Sequence, residues 1–282
     1  MKLRSTILLS LLALCFAQPA GAASTPSLSA LEQQLNYMVA AKSADVGIAA
    51  LDLNSGESIN VKGQTPFPMA STVKIAVAAA YLSQVDHGRR SMLDTIGNER
   101  ARDLMGKMLI HSDNHATDKL IKDLGGPTAI QDWLNFHGFN GIHVDRNIAQ
   151  LLSAPRDLWD RRDSSTPLAM VELLRRLDRG NVLSASSRSI LLGFMSRCET
   201  GKNRMKALLP QGTLVEHKTG TLNGLSDDVG FVTLPDGRRV AIAIFTRGGS
   251  DRPRTIAETA RALYDGFRSV MTWSFSPVPA TR

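Results

Sequence analysis

Residues 45–62 read DVGIAALDLNSGESINVK. Asp45 to Leu53 is an apolar run of strand length, Asn54-Ser55-Gly56 is turn chemistry, and Ser58 to Lys62 is a returning strand. A matching set stands near the other end of the chain. Thr213–His217, Asp228–Leu234 and Val240–Thr246 read as strands, the last two joined by the turn Pro235-Asp236-Gly237. Working outward, Leu28, Leu31, Leu35, Met38 and Val39 recur at helical spacing from Pro26 to about Lys42, and a closing helix is predicted from about Thr255 to Val270. Between the strand sets the chain reads as helices: Ser71–Val85, about Arg100–Ile110, and Asn114–Leu124 closed by Gly125-Gly126. Pro127 and Thr166-Pro167 each open a further one.

This order predicts an α/β (α+β) fold. A five-stranded, mostly antiparallel sheet is built from both ends of the chain and flanked by helices from both termini, with an all-helical lobe inserted. The boundaries expected are 24–62 plus 203–282 for the α/β lobe and 63–202 for the helical lobe, with a site between them. A doubly wound parallel sheet is disfavoured, because strands do not alternate with helices through the middle.

Composition narrows the function. The chain has 282 residues, 43% of them apolar, enough for a substantial core. Its charge of +7 comes with basic pairs (Arg89-Arg90, Arg161-Arg162, Arg175-Arg176, Arg238-Arg239) that are scattered and lack interleaved aromatics. They read as a solvated surface, and no nucleic-acid partner is expected. Residues 1–23 read as an export signal. Lys2 and Arg4 precede the apolar run Ile7–Ala17, and Ala20-Gly21-Ala22 is a small-residue cleavage site. Cleavage takes Cys15 with it and leaves one thiol, Cys198, which reads as a small core residue. No transmembrane anchor, cofactor or metal site is expected. His111 and His115 are spaced i,i+4 with no third ligand. The expected state is an exported monomer, periplasmic or secreted.

Three short motifs carry chemistry. In Ser71-Thr72-Val73-Lys74 the serine and lysine share a helix face. A lysine kept neutral by burial and neighbouring cations can take the serine proton. Ser112-Asp113-Asn114 lies between two helices. Its hydroxyl can relay a proton to a leaving nitrogen and its Asn amide can hold a substrate carbonyl, although the same tripeptide also suits an ordinary helix cap. Lys218-Thr219-Gly220-Thr221 lies in a strand context. Lys218 with the two Thr hydroxyls makes a carboxylate-binding group, and Gly220 lets a substrate backbone approach. The N–H groups of Thr221 and Ser71 can form an oxyanion hole.

Taken in this order, the trio resembles that of class A β-lactamases and penicillin-binding proteins. Over about Ser27 to Phe267 the chain resembles the class A β-lactamase family, with further likeness at Gly125-Gly126-Pro127, Asp145-Arg146, Arg162–Pro167 and Ala241–Arg247. The resemblance implies a serine acyl-enzyme mechanism on a substrate whose carboxylate lies next to a reactive amide. The catalytic residues implied are Ser71, Lys74 and Ser112. Asn114, Lys218, Thr219, Gly220 and Thr221 would bind substrate, and the pair Arg146–Asp163 would close the Ω-loop.

The chain also departs from that pattern. The family's Ω-loop motif D-R-x-E-x-x-L-N stands here as Asp145-Arg146-Asn147-Ile148-Ala149-Gln150-Leu151-Leu152. Ile148 replaces the acid that activates water, and Leu152 the Asn that helps hold it. The stretch Gly88–Arg100 is short for the family, which predicts loss of a helical segment and a more open cleft. His217 stands where an acid is usual. These features keep three readings open: a β-lactamase with slow or atypical deacylation, its base drawn from Asp157, Asp160 or Lys74; a penicillin-binding protein with D-Ala-D-Ala carboxypeptidase (DD-peptidase) activity on peptidoglycan stem peptides; and a non-catalytic sensor of β-lactams or muropeptides.

Overall fold

A computed structural model describes residues 26–274. The expected export signal at 1–23, with Cys15, lies outside them. The first part of the chain runs α1 (Pro26–Ala40), β1 (Asp45–Asp52), β2 (Ser58–Val61), β3 (Phe67–Pro68), a 3₁₀ turn (Ala70–Val73) and α2 (Lys74–Asp86). The middle holds β4 (Thr95–Ile96), β5 (Glu99–Arg100), α3 (Ala101–Ile110), α4 (Asn114–Leu124), α5 (Pro127–Phe136) and α6 (Ile148–Ser153). It continues with β6 (Ser164–Ser165), α7 (Pro167–Asp178) and α8 (Ala185–Met195). The chain then closes with β7 (Val215–Leu222), β8 (Leu225–Thr233), β9 (Arg239–Arg247) and α9 (Arg252–Ser274).

Five strands form the main sheet in the order β2-β1-β9-β8-β7, and every pairing in it is antiparallel. Period-two alternation divides the sheet's side chains between two cores. In β9, Val240, Ile242 and Ile244 face the core shared with α1 and α9, whereas Ala241, Ala243 and Phe245 join the core of the helical region. Both faces of the sheet are therefore covered.

Local chemistry sets the helix ends that matter. Asp113 caps α4 by accepting from the Ala116 N–H at 2.7 Å, and Gly125 ends it at φ 106°. Pro127 and Pro167 sit in the first turns of α5 and α7, where a missing N–H costs nothing. Helix α2 is apolar and buried from Lys74 to Ser83, so it forms the centre of the helical core rather than one of its faces.

Two expectations need correction. The basic pairs are not all a solvated surface. Arg239 bridges Asp178 and Glu216 and stacks over the Phe231 ring at 4.3 Å, and Arg238 pairs with Asp52 at 2.5 Å and Asp236 at 3.0 Å. Arginine's aliphatic stem and planar head suit such half-buried positions, and pair spacing along the chain carries no sign of them. Strands β7 and β8 are also longer than predicted. Leu222 pairs with Leu225 around Asn223-Gly224, a two-residue hairpin turn with Gly224 at φ 81°. The whole Lys218–Thr221 motif consequently lies inside β7, an edge strand of the sheet.

Candidate active site

Ser71 sits in the 3₁₀ turn that leads into α2, half-buried, with Ala70 before it at φ 45°. One turn on, Lys74 is wholly buried. Its ammonium donates to Ser112 O at 2.7 Å, Asn114 Oδ1 at 2.9 Å and Ser112 Oγ at 3.1 Å, which uses all three of its N–H bonds. Burial, followed by the charge of Lys218, pulls the Lys74 amine down to about 7, while Asp113 and Asp118 hold it up.

Ser112 receives a second lysine. Lys218 Nζ donates to Ser112 Oγ at 2.9 Å and to Thr219 O at 2.9 Å, and burial lowers its pKa to about 8. Ser112 has φ 60°, in the left-handed region, and the Asp113 N–H reaches back to Lys107 O at 3.0 Å. A non-glycine residue there costs on the order of 1–3 kcal/mol. That conformation turns both oxygens of Ser112 toward the lysines. Asn114 is the first residue of α4, and Asp113 takes the capping role. The tripeptide is thus a helix cap and a ligand for Lys74 at once.

Strand β7 passes so close to the turn before Ser71 that a side chain at Gly220 would not fit. A Cβ there would lie 2.7 Å from Met69 O and 3.0 Å from Asp227 Oδ2. Packing against the protein's own backbone is by itself reason enough for a glycine here. Gly220→Ala is expected to lower stability by about 1–3 kcal/mol, the usual cost of overpacking, and to shift the melting temperature accordingly. Gly220 O and Asp227 O both accept from Arg204 Nη1, at 2.7 and 3.1 Å, and Thr221 Oγ1 accepts from Arg204 Nη2 at 2.6 Å. Arg204 is buried and fixes the far half of the motif. Sequence reasoning missed it because it is a single arginine in a loop.

Arg146 and Asp163 meet at the neck of the Ω-loop. Arg146 Nε donates to Asp163 Oδ2 at 2.6 Å, and Asp163 Oδ1 also accepts the N–H groups of Asp145 and Arg146. Asp163 O accepts the Met69 N–H at 2.9 Å, so the neck is tied to the turn carrying Ser71. Farther out, the Arg247 guanidinium lies between the rings of Trp159, 3.4 Å from its centroid, and Phe67, at 4.4 Å, while pairing with Asp45 at 2.8 Å. A loop tryptophan is thereby stacked on a sheet residue.

Ile148 begins α6, capped by a reciprocal Asn147–Gln150 pair. Its side chain is buried in the helical core, and its N–H donates to Asp118 Oδ1 at 2.7 Å, beside Ala149 N–H to Oδ2 at 2.9 Å. Asp118 lies one turn after Asn114 on α4, an i,i+4 relation that the sequence offered and the motif reading passed over. Leu152 is 49% exposed. Of the carboxylates weighed as replacement bases, Asp160 is pulled down to about 2, chiefly by Arg162, and also pairs with Arg146. That makes it a weak base. Asp157 accepts the Trp159 N–H at 2.8 Å.

Cys198 is buried, as expected, but it is not isolated from histidine. Burial pushes the thiol up, but the charges of His217, 19 residues away in sequence, and of Lys218 pull it down to about 6. A pairing across that separation arises from the fold and has no adjacent sequence motif. Between α2 and α3 the stretch 88–100 carries the β4–β5 hairpin and no helix. Among the described residues no group of three or more His, Cys, Asp or Glu could hold a metal ion, and His111 pairs with Glu199 at 3.2 Å.

Comparison with known proteins agrees with this geometry. The model of the β-lactamase enzyme family matches residues 30–267. The extended-spectrum β-lactamase PER-1 of Pseudomonas aeruginosa is 30% identical over 83% of this chain and 86% of its own length. β-Lactamase VEB-1 of the same organism is 31% identical over 87% and 90%. Among solved structures, the TLA-3 extended-spectrum β-lactamase superposes with a TM-score of 0.79 at 27% identity, covering 86% of this chain and 99% of that one. A variant of a reconstructed class A β-lactamase, the last common ancestor of Gram-negative bacteria, gives 0.78 at 31% identity over 87% and 98%. The likeness spans both the sheet and the helical region, and on these grounds the chain belongs to the class A β-lactamase family and is a hydrolase of β-lactamase type.

Proposed function

We propose that the protein is an exported serine enzyme acylated by β-lactams at Ser71, and that it releases the acyl group slowly or by an atypical route. Neutral Lys74 takes the Ser71 hydroxyl proton as Oγ attacks the lactam carbonyl carbon. The Ser71 and Thr221 N–H groups receive the developing oxyanion. The proton then passes from Lys74 through the Ser112 hydroxyl to the lactam nitrogen as the ring C–N bond breaks. Both lysines already meet at that hydroxyl, at 3.1 and 2.9 Å. Lys218 and Thr219 take the substrate carboxylate, and Asn114 its amide carbonyl.

One observation carries the reading of slow release: the Ω-loop position of the family's water-activating acid holds Ile148, with its side chain in the apolar core. Intact-mass spectrometry after mixing with a penicillin tests it. The expected result is a long-lived adduct on Ser71. Rapid loss of penicillin with no adduct would overturn impaired release, and absence of both from folded protein would overturn acylation. Ile148→Glu should restore little turnover and lower the melting temperature, because a carboxylate placed among apolar side chains is strongly disfavoured and Leu152 still offers water no ligand. The missing acid and the helix-free 88–100 segment also favour the DD-peptidase reading, which a second assay, release of D-Ala from a stem peptide, separates.

A further inference from the structure

The cluster that the acylation chemistry leaves unused lies behind β7. His217 Nδ1 and Asp228 Oδ1 are 2.7 Å apart, and Asp228 Oδ2 accepts the Met205 N–H at 3.1 Å. The other ring nitrogen, Nε2, is fully buried and has no hydrogen-bond partner among the described residues, and the Cys198 thiol helps hold the imidazole pKa up. The thiol in turn meets Thr200 Oγ1 at 3.3 Å, and Thr200 Oγ1 meets Thr219 Oγ1 at 2.6 Å. The Thr219 methyl lies against Gly201, where an added Cβ would come within 2.5 Å of Cγ2, so position 201 leaves room for Thr219 only as a glycine.

We propose that Cys198 is a positioning residue for the substrate carboxylate, because its proton sets the direction of the Cys198–Thr200–Thr219 relay. This rests on the reading above that Thr219 and Lys218 hold that carboxylate. With His217 protonated, Nδ1–H donates to Asp228 and the imidazolium charge lies beside the sulfur, with Nε2–H unpaired among the described residues. A thiol donates to Thr200 Oγ1 at 3.3 Å in preference to the more distant Thr200 O at 3.9 Å, Thr200 donates to Thr219, and the Thr219 proton is free to point into the cleft. A thiolate reverses the order: Thr200 donates to sulfur, Thr219 donates to Thr200, and a lone pair faces the substrate.

Cys198 titrates from a lowered position, about 6, and His217 from a raised one, about 9, where Asp228 and Cys198 outweigh burial. The other charges near the pair are Lys218, beside His217 on β7 and itself acted on by Arg204, and Lys206, whose amine donates to Cys198 O at 3.3 Å. Carboxylate binding and thiol ionisation therefore oppose each other.

The test measures the dissociation constant of a penicillin by calorimetry in the Ser71→Ala background, where no chemistry intervenes. It runs from about pH 5 to pH 8, the range that spans a lowered thiol pKa. Affinity should weaken about tenfold as Cys198 ionises, the scale of one hydrogen bond to a charged acceptor. Cys198→Ser, which donates without ionising, should stay flat at the low-pH affinity up to about pH 7, with only the Lys218 loss of charge near pH 8 remaining. Thr200→Val should also abolish the slope while leaving the thiol free to titrate. Thiolate ultraviolet absorbance, taken as the difference from Cys198→Ser so that Cys15 cancels, should rise over the same range.

An unchanged slope in folded Cys198→Ser or Thr200→Val would overturn the relay. So would thiolate absorbance that rises only near the ordinary thiol range of about 8.5. No penicillin binding at any pH would overturn the carboxylate reading and this role together, and the absorbance titration would still report separately whether the thiolate–imidazolium pair exists.

Discussion

Ser71→Ala is expected to gain no mass from a penicillin under conditions that fully label the parent. Acylation should fall on the order of 10⁶-fold, the scale seen when a serine nucleophile is removed. Within the described residues no hydrogen bond engages the Ser71 hydroxyl, so the substitution leaves the site's polar network in place. The melting temperature should therefore stay within a degree or two of the parent, the scale of a neutral surface change. A labelled Ser71→Ala protein would place the nucleophile elsewhere.

The second large effect belongs to Lys74. Lys74→Met keeps the length of the side chain but supplies no proton acceptor. The acylation rate should fall by about 10²–10⁴-fold, the range for a general base. Stopped-flow acylation against pH gives the sharper measurement. Lys74 acts when unprotonated, so the parent rate should rise with pH up to about 7 and then level. Lys218 must carry its charge to hold a carboxylate, so apparent affinity should fall above about 8. In Lys74→Met the residual rate should lose the acid-side limb and keep the alkaline loss of affinity. A parent rate independent of pH between about 5 and 8 would remove Lys74 from the role of base.

Much of the site is legible along the chain because its chemistry travels in short motifs. Ser71 and Lys74 are three residues apart, Ser112 and Asn114 two, and Lys218 to Thr221 are contiguous. Each group needs only one local conformation to bring its atoms together. The strands were legible from apolar runs and the helices from their caps and prolines. The short α6 was missed as a helix, although Asn147 and Gln150 give the capping-box spacing that starts it. The Asn223-Gly224 turn was passed over in favour of the more obvious Pro-Asp-Gly, and this cut β7 and β8 short. Arg204 and the Cys198–His217–Asp228 cluster were illegible for a different reason. Their partners lie on other elements, and single residues without periodicity announce no tertiary contact. Cys198 is the plainest case, since a lone thiol in sequence gives no hint of an imidazole behind it.

The order of strands in the sheet has a consequence for how the chain reaches this state. Strands β1 and β2 form a hairpin near the start, and β7 and β8 another near the end. Only β9 joins them, pairing with β1 on one side and β8 on the other. The Arg247–Asp45 contact at that seam spans 202 residues. Loop closure over that distance comes before any reward from the pairing, which makes the seam a late and slow event. Until residue 247 has been synthesised, β1 and β8 each keep an unpaired edge, a hazard for association with other chains. The complete sheet beneath the Ser71 turn therefore has to wait for the last strand of the chain to be made.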